Sequence, residues 1–379
     1  MTQGTRAAIA LGLPAALAIG GAACELITHA SDFSVAPHVR FDGACNRCPE
    51  DAGANLRHVP CPNPSGAKDS DVIFTYAARR FYLGHAYEWE EPRLVPSFNL
   101  GFDIDCSARR NGEPANCAPL PLDGGIAAPW TSLPHGIDNS LSQRVLAPLT
   151  AAAASMGKNV DLDVLVSENY ERGSAGFIVQ IEQWNRTLDD PNVKVSLFAS
   201  PGIAAENGPP NWNGDDTWST YGEDFNVTGR YFKLLKASGY VTNGVLIVDA
   251  RSKGLVNFRF SAGGTLGSGP RSFLVSDLVF SGKLTEERVD HLVMSGITPL
   301  ASIYDAAEDA ARLFTGCDPI AAANLKPRVT ELLVGAADVP SDPDNPGGPC
   351  DAISFAIALD AEKAQLGDVG TEAEDAGCK

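Results

Sequence analysis

The chain has 379 residues and a formal net charge of −18, from 47 acidic against 29 basic side chains. An acidic surface of this size repels nucleic acid, itself a polyanion that recruits Lys and Arg, so nucleic acid is excluded as a partner and cations are the natural counterpart. The length allows a large core and, taken alone, about two domains.

The chain opens with Met1 to Arg6, carrying one positive charge, and runs into an apolar stretch, Ala7 to Ala23, of mostly Ala, Leu, Ile and Gly. These are the parts of an export signal over residues 1–23. With Pro14 in its middle, the run is too short and too rich in Ala and Gly for a membrane-spanning helix. Small residues Gly21, Ala22 and Ala23 precede Cys24, an arrangement that resembles the lipobox of bacterial lipoproteins. That resemblance implies cleavage before Cys24 and acylation of its thiol; the alternative is an ordinary signal cut after Ala23. Two or three acyl chains would hold the protein on a membrane, since each buried CH₂ contributes roughly 0.8 kcal/mol.

Nine cysteines are present, and assigning Cys24 to lipid leaves eight: Cys45, Cys48, Cys61, Cys106, Cys117, Cys317, Cys350 and Cys378. An even set in an exported chain reads as four disulfides. Cys106 and Cys117 flank one polar loop and are the expected local pair. Cys317 and Cys350 bracket a segment ending in a Pro/Gly-rich loop, and Cys378 is expected to tie back to Cys45, Cys48 and Cys61. Cys45, Cys48, His58 and Cys61 also offer zinc-type ligands, but disulfides suit the exported context better. Residues 24–70, rich in Pro, Asp and Asn, are expected to form a tether and a disulfide-pinned, loop-rich cap.

From residue 71 onward the pattern changes to short strand-like runs separated by turn residues: 72–84, 96–105, 176–184, 193–200, 239–250, 255–262, 271–284 and 351–361. Val193, Val195 and Leu197 alternate onto one face, as do Val256, Phe258 and Phe260. Thr242-Asn243-Gly244 between two runs is a hairpin signal. Many short strands with Gly-rich turns predict a mainly β fold, a sandwich or jelly roll. Two helical insertions are expected. One spans about 139–157, opened by a capping box at Ser140 and Gln143. The other spans about 285–315, where Thr298-Pro299 reads as a cap and Leu300, Ile303, Ala307, Ala310 and Phe314 recur at helical spacing. The strand-like run after these helices is expected to return to the main sheet, making one large domain.

Two polar clusters stand out. In a strand, Asp103 and Asp105 share a face, and Asp138 and Asn139 precede the first helix. Calcium takes six to eight oxygen ligands, so Asp103, Asp105, Asp138 and Asn139 are the expected calcium site, with helix capping as the alternative for the last two. The stretch 211–224 carries Trp212, Asp215, Asp216, Trp218 and Tyr221. Rings beside acids can form a platform for a sugar, whose apolar faces stack while its hydroxyls bond the acids; the alternative is a loop clamped onto the sheet. The G-x-S-x-G, P-loop and H-E-x-x-H signatures do not occur. The six histidines follow no spacing that marks a site.

The runs GFDID, GIDNSL, DDPNVKVSL and NWNGDDTW together resemble a group of uncharacterised exported lipoproteins of myxobacteria, over roughly residues 98–285. That resemblance implies an envelope location and no established activity. The expectation is therefore a lipid-anchored protein of a bacterial envelope, facing periplasm or exterior. It would act as a non-catalytic binding or structural module with a glycan or envelope protein as partner. The alternative is a carbohydrate hydrolase using paired carboxylates, Asp103 and Asp105 among them.

Overall fold

Strands whose side chains alternate between apolar and polar bury one face, and a sheet with one apolar face is stable only when that face finds cover. Here the sheet covers itself. The computed structural model describes residues 70–83, 100–102, 104, 117–122, 125–126, 138–148, 151, 162–203, 207–221, 235–251, 256–260, 271–304, 319–342, 345 and 347–370. By its contacts the chain divides into Met1–Arg40 and Phe41–Lys379. All described residues belong to the second unit. The export signal, Cys24 and most of the expected cap lie outside them.

The strands in chain order are β1 Ser70–Tyr82, β2 Pro121–Leu122, β3 Gly125–Ile126, β4 Gly176–Gln183, β5 Asp190–Ser200, β6 Thr217–Tyr221, β7 Leu235–Thr242, β8 Val245–Asp249, β9 Val256–Phe260, β10 Arg271–Leu284, β11 Arg288–Pro299, β12 Ala352–Lys363 and β13 Gln365–Gly370. Eight of them, β1, β4, β5, β7, β8, β10, β11 and β12, pair antiparallel with their neighbours in chain order. The last returns to the first, β12 against β1, with Phe81 opposite Leu359. The protein is mainly β, as expected. The sheet, however, closes into an up-and-down barrel instead of splitting into the two layers of a sandwich or jelly roll. Closure leaves these strands no open edge between β12 and β1.

The inward residues follow the two-residue period. Phe74, Tyr76 and Ala78 from β1 meet Phe177, Val179 and Ile181 from β4, and Val193, Val195 and Leu197 from β5. Leu278 and Phe280 of β10, Leu292 and Met294 of β11, and Phe355, Ile357 and Leu359 of β12 complete the same cluster. An eight-stranded barrel is just wide enough for side chains to fill, and here they do. At one end Phe258 stacks on Phe177, with ring centroids 5.4 Å apart. At the other, Trp184 meets Phe74 edge-on at 5.0 Å, and the Arg186 guanidinium lies over the Phe74 ring at 5.4 Å. The Tyr76 hydroxyl donates to the Thr285 carbonyl (2.8 Å). Burial, then the charges of Glu286 and Glu287, push its phenol far above the ordinary range.

The Thr242 to Val245 turn forms the expected hairpin, with Asn243 at φ 51° and Gly244 at φ 76°. Two consecutive positive φ values match the twist of a two-residue hairpin, and Asn-Gly reaches them at little steric cost.

The helices follow expectation in part: residues 140–148 are helical, inside the first expected insertion, but the second begins late. Residues 288–299 are strand β11, and helix begins only at 300 and is described to 304. Leu300 and Ile303 of the expected stripe are buried; Ala307, Ala310 and Phe314 lie outside the described residues. Two helices arise where none was expected: α1, Leu162–Glu171, and α2, Pro319–Ala336. α1 ends at Gly173, φ 71°, where the Ser174 N–H reaches back to the Asn169 carbonyl (3.0 Å) and the Gly173 N–H to that of Tyr170 (2.9 Å). Gly supplies the left-handed residue that this terminus needs. The run 96–105, expected as a strand, is non-strand in its described part, Leu100 to Phe102 and Ile104.

Candidate functional site

The residues expected to hold calcium are divided. Asp103 and Asp105 lie outside the described residues. Asp138 and Asn139 are almost fully buried against β12. One Asp138 carboxylate oxygen accepts the Ile104 N–H (2.8 Å). The Asn139 carbonyl oxygen accepts the N–H groups of Ala356 (3.1 Å) and Ser142 (3.4 Å), while its amide donates to the Leu100 carbonyl (3.1 Å). Both lone pairs of that oxygen are therefore spent on backbone donors, which makes Asn139 a bracket joining three segments. The capping box is not formed. Ser140 makes no side-chain cap, and its hydroxyl donates instead to the Ala336 carbonyl. Capping falls one residue earlier, to Asn139, and the turn Leu141–Leu146 is π-helical.

The same wall holds a buried carboxylate, Asp338, which accepts from the Ser354 N–H (2.8 Å) and the Ser354 hydroxyl (2.6 Å). Burial lowers the pKa of the nearby Arg144 guanidinium, and the Asp338 charge partly offsets this. Beside it lies the disulfide, which joins Cys117 to Cys350 across 233 residues. This overturns the expected pairs Cys106 with Cys117 and Cys317 with Cys350. The reason is tertiary: Ala118 bridges Pro349, with the Ala118 N–H on the Gly348 carbonyl (2.7 Å), so Cys117 and Cys350 have Cα atoms 5.0 Å apart. Cys45, Cys48, Cys61, Cys106, Cys317 and Cys378 lie outside the described residues. Among the described residues no group of three or more His, Cys, Asp or Glu could hold a metal ion.

In the second cluster, Trp218 and Tyr221 are fully buried. Trp218 packs with Ala77, Ile178 and Phe198 on the outer wall of β1, β4 and β5. It rests where Gly176 has no side chain, since a Cβ there would lie 2.7 Å from the indole. Asp216 holds the loop by accepting the N–H groups of Asn211 (2.9 Å) and Trp212 (2.6 Å), and Asp215 is exposed. Two of the three rings are thus spent on clamping. Trp212 alone is partly exposed, with its backbone at φ 56° and its ring 5.4 Å from that of Trp218.

From Trp212 a chain of polar contacts runs along the barrel wall. The Trp212 indole N–H donates to the Glu171 carbonyl (3.3 Å), and the Arg79 guanidinium sits over the indole at 5.5 Å. The Glu171 carboxylate pairs with both Arg79 (3.8 Å) and Arg80 (3.3 Å). As the last residue of α1 it places a negative charge at the unfavourable end of the helix dipole, which the two arginines neutralise. Burial alone would lower the Arg80 pKa, but bonds to Tyr82 and Glu171 outweigh it. Directly across the ladder from Arg80 stands Asp360. Its carboxylate accepts from the Tyr82 hydroxyl (3.2 Å), the His291 N–H (3.0 Å) and His291 Nδ1 (3.2 Å). Burial pushes the Asp360 pKa up, yet the bonds and charge from His291, with the Tyr82 bond, hold it below the usual carboxylate range. His291 stands at φ 55° in a bulge of β11, and such backbone conformations cluster at functional sites.

Arg79, Arg80, Tyr82, Glu171, Asp360 and His291 were not among the sequence candidates. The usable signal was the pair Arg79-Arg80 inside the otherwise apolar run of β1; nothing local marks Asp360 or His291. No protein family model, curated protein or solved structure matches this chain.

Proposed function

We propose that this protein is an exported envelope lipoprotein, anchored through Cys24, whose barrel is a rigid non-catalytic binding module that meets its ligand on the outer wall. The observation that carries the reading is the filled interior. All eight strands send apolar side chains into one cluster, so recognition belongs to the polar wall running from Trp212 to His291. The Cys117 to Cys350 disulfide supports an oxidising compartment. Charged outward residues such as Lys236 and Glu182, paired at 3.6 Å, together with the apolar interior, are the inverse of a membrane-spanning barrel. In this reading the lipid on Cys24, and not the barrel, makes the contact with the membrane. The resemblance to myxobacterial exported lipoproteins points the same way.

The test is fractionation of the wild type and Cys24→Ser, with the N-terminal mass of each. Wild type should partition with membranes and carry acyl mass, and Cys24→Ser should lose both. An unmodified wild-type N-terminus would refute the anchor.

A further inference from the structure

We propose that the wall strip of Trp212, Arg79, Glu171, Arg80, Asp360 and His291 binds an uncharged, hydroxyl-rich polymer, a neutral polysaccharide. The inference deepens the binding-module reading and rests on it.

The first argument is charge balance. On a chain of net charge −18, this strip pairs its own charges: Arg79 and Arg80 share Glu171, Arg79 also approaches Glu362 (3.9 Å), and His291 pairs with Asp360. A polyanion would have to break these pairs, and a polycation would have to displace the arginines. A neutral ligand meets neither cost. The second argument is hydrogen-bonding geometry. Guanidinium and carboxylate groups are planar and bidentate, and adjacent hydroxyls on a sugar ring, each both donor and acceptor, match both. The side chains are open enough to be reached: Arg80 is 52%, His291 46%, Arg79 39% and Glu171 38% exposed.

The third argument is spacing. Arg80, Asp360 and His291 come from the three consecutive strands β1, β12 and β11. Neighbouring strands lie about 4.8 Å apart, so the strip crosses three strands over roughly the length of two hexose units, with His291 and Asp360 joined at 3.2 Å as one polar group. At the far end Trp212 contributes a partly exposed apolar surface for a sugar face. The backbone under the strip is fixed by the ladders of β1, β12 and β11 and by the Asp216 bonds behind Trp212, so little backbone ordering is needed on binding.

The test is affinity electrophoresis of the purified full-length protein through gels containing soluble starch, hydroxyethyl cellulose or laminarin, with polygalacturonate as the anionic control. At least one neutral polysaccharide should retard the wild type. Retardation should persist in about 0.5 M NaCl, where charge attraction is screened within a few ångströms. Trp212→Ala and Asp360→Asn should weaken it about tenfold or more, and Lys236→Ala, on another part of the wall, should not. Tyr82→Phe removes one bond to Asp360 and no charge, so it serves as the milder variant should Asp360→Asn fail to fold. Retardation by polygalacturonate alone, by none of the neutral polymers, or equally in wild type and both strip variants would overturn the proposal. Loss of membrane partition would instead sink the envelope reading while leaving the gel result standing.

Discussion

Single side chains on this barrel act mostly as connectors, and two of them show what that costs to lose. Asp360 accepts from His291 and Tyr82, so its one carboxylate joins β11, β12 and β1. Its folded pKa is depressed, which means that the unfolded chain binds the proton more readily. The stabilisation is therefore complete above the unfolded carboxylate value, about 3.9, and is lost as pH falls through the lower folded value. Asp360→Asn should lower stability by about 1–3 kcal/mol at neutral pH. It should also flatten the acid limb of a stability-versus-pH curve measured by denaturant unfolding; an unchanged limb would show that Asp360 is not a source of the acid sensitivity. Asn139 is the second case. Asn139→Ala strands the buried Ala356 N–H and the Leu100 carbonyl together, and should cost about 2–4 kcal/mol in the same assay. Asn139→Ala with calcium present and absent should give the same loss, because that oxygen already accepts two N–H groups.

At the scale of elements, the β11 bulge changes the apolar spacing along its strand. The register shifts between Val289 and Leu292, inserting one residue, so the two inward side chains lie three positions apart instead of two. What makes the segment a strand is its pairing with β10 and β12, not that local interval. The disulfide shows the same dependence on contact over spacing. Closing a loop of 233 residues restricts the unfolded chain and raises its free energy. Cys350→Ser should therefore lower unfolding free energy by about 2–5 kcal/mol. In the folded state the variant should also dock the 117 segment more loosely on the start of β12, visible as faster amide exchange at Ala118 and Cys350, whose N–H groups now bond across that junction. Equal exchange in the two proteins would place the effect elsewhere.

For the whole molecule the question is whether the barrel is a container or a solid wall. Phe280 is 1% exposed and lies in the cluster shared by all eight strands. If the interior is structural core, Phe280→Ala should cost about 3–5 kcal/mol, the loss of transfer energy plus an unfilled cavity. A variant as stable as wild type would mean that the space is a ligand chamber, and the wall would lose its claim to be the recognition surface.

What the residues determined alone was whatever depends on period and composition. The alternation in Val193, Val195 and Leu197 placed a strand face, Asn243-Gly244 placed a hairpin, and the many turn-bounded runs made the chain mainly β. Those signals are local because strand pleat and turn dihedrals are set within a few residues. Closure was not legible, since whether β12 returns to pair with β1 depends on the summed twist and stagger of all eight strands. The partner of Cys117 and the strip from Trp212 to His291 were illegible for the same reason. Cys350 lies 233 residues from Cys117, and Asp360 lies 69 residues from His291 and 278 from Tyr82. Only the closed barrel brings such distant side chains to one place, and no periodicity in the chain records that meeting.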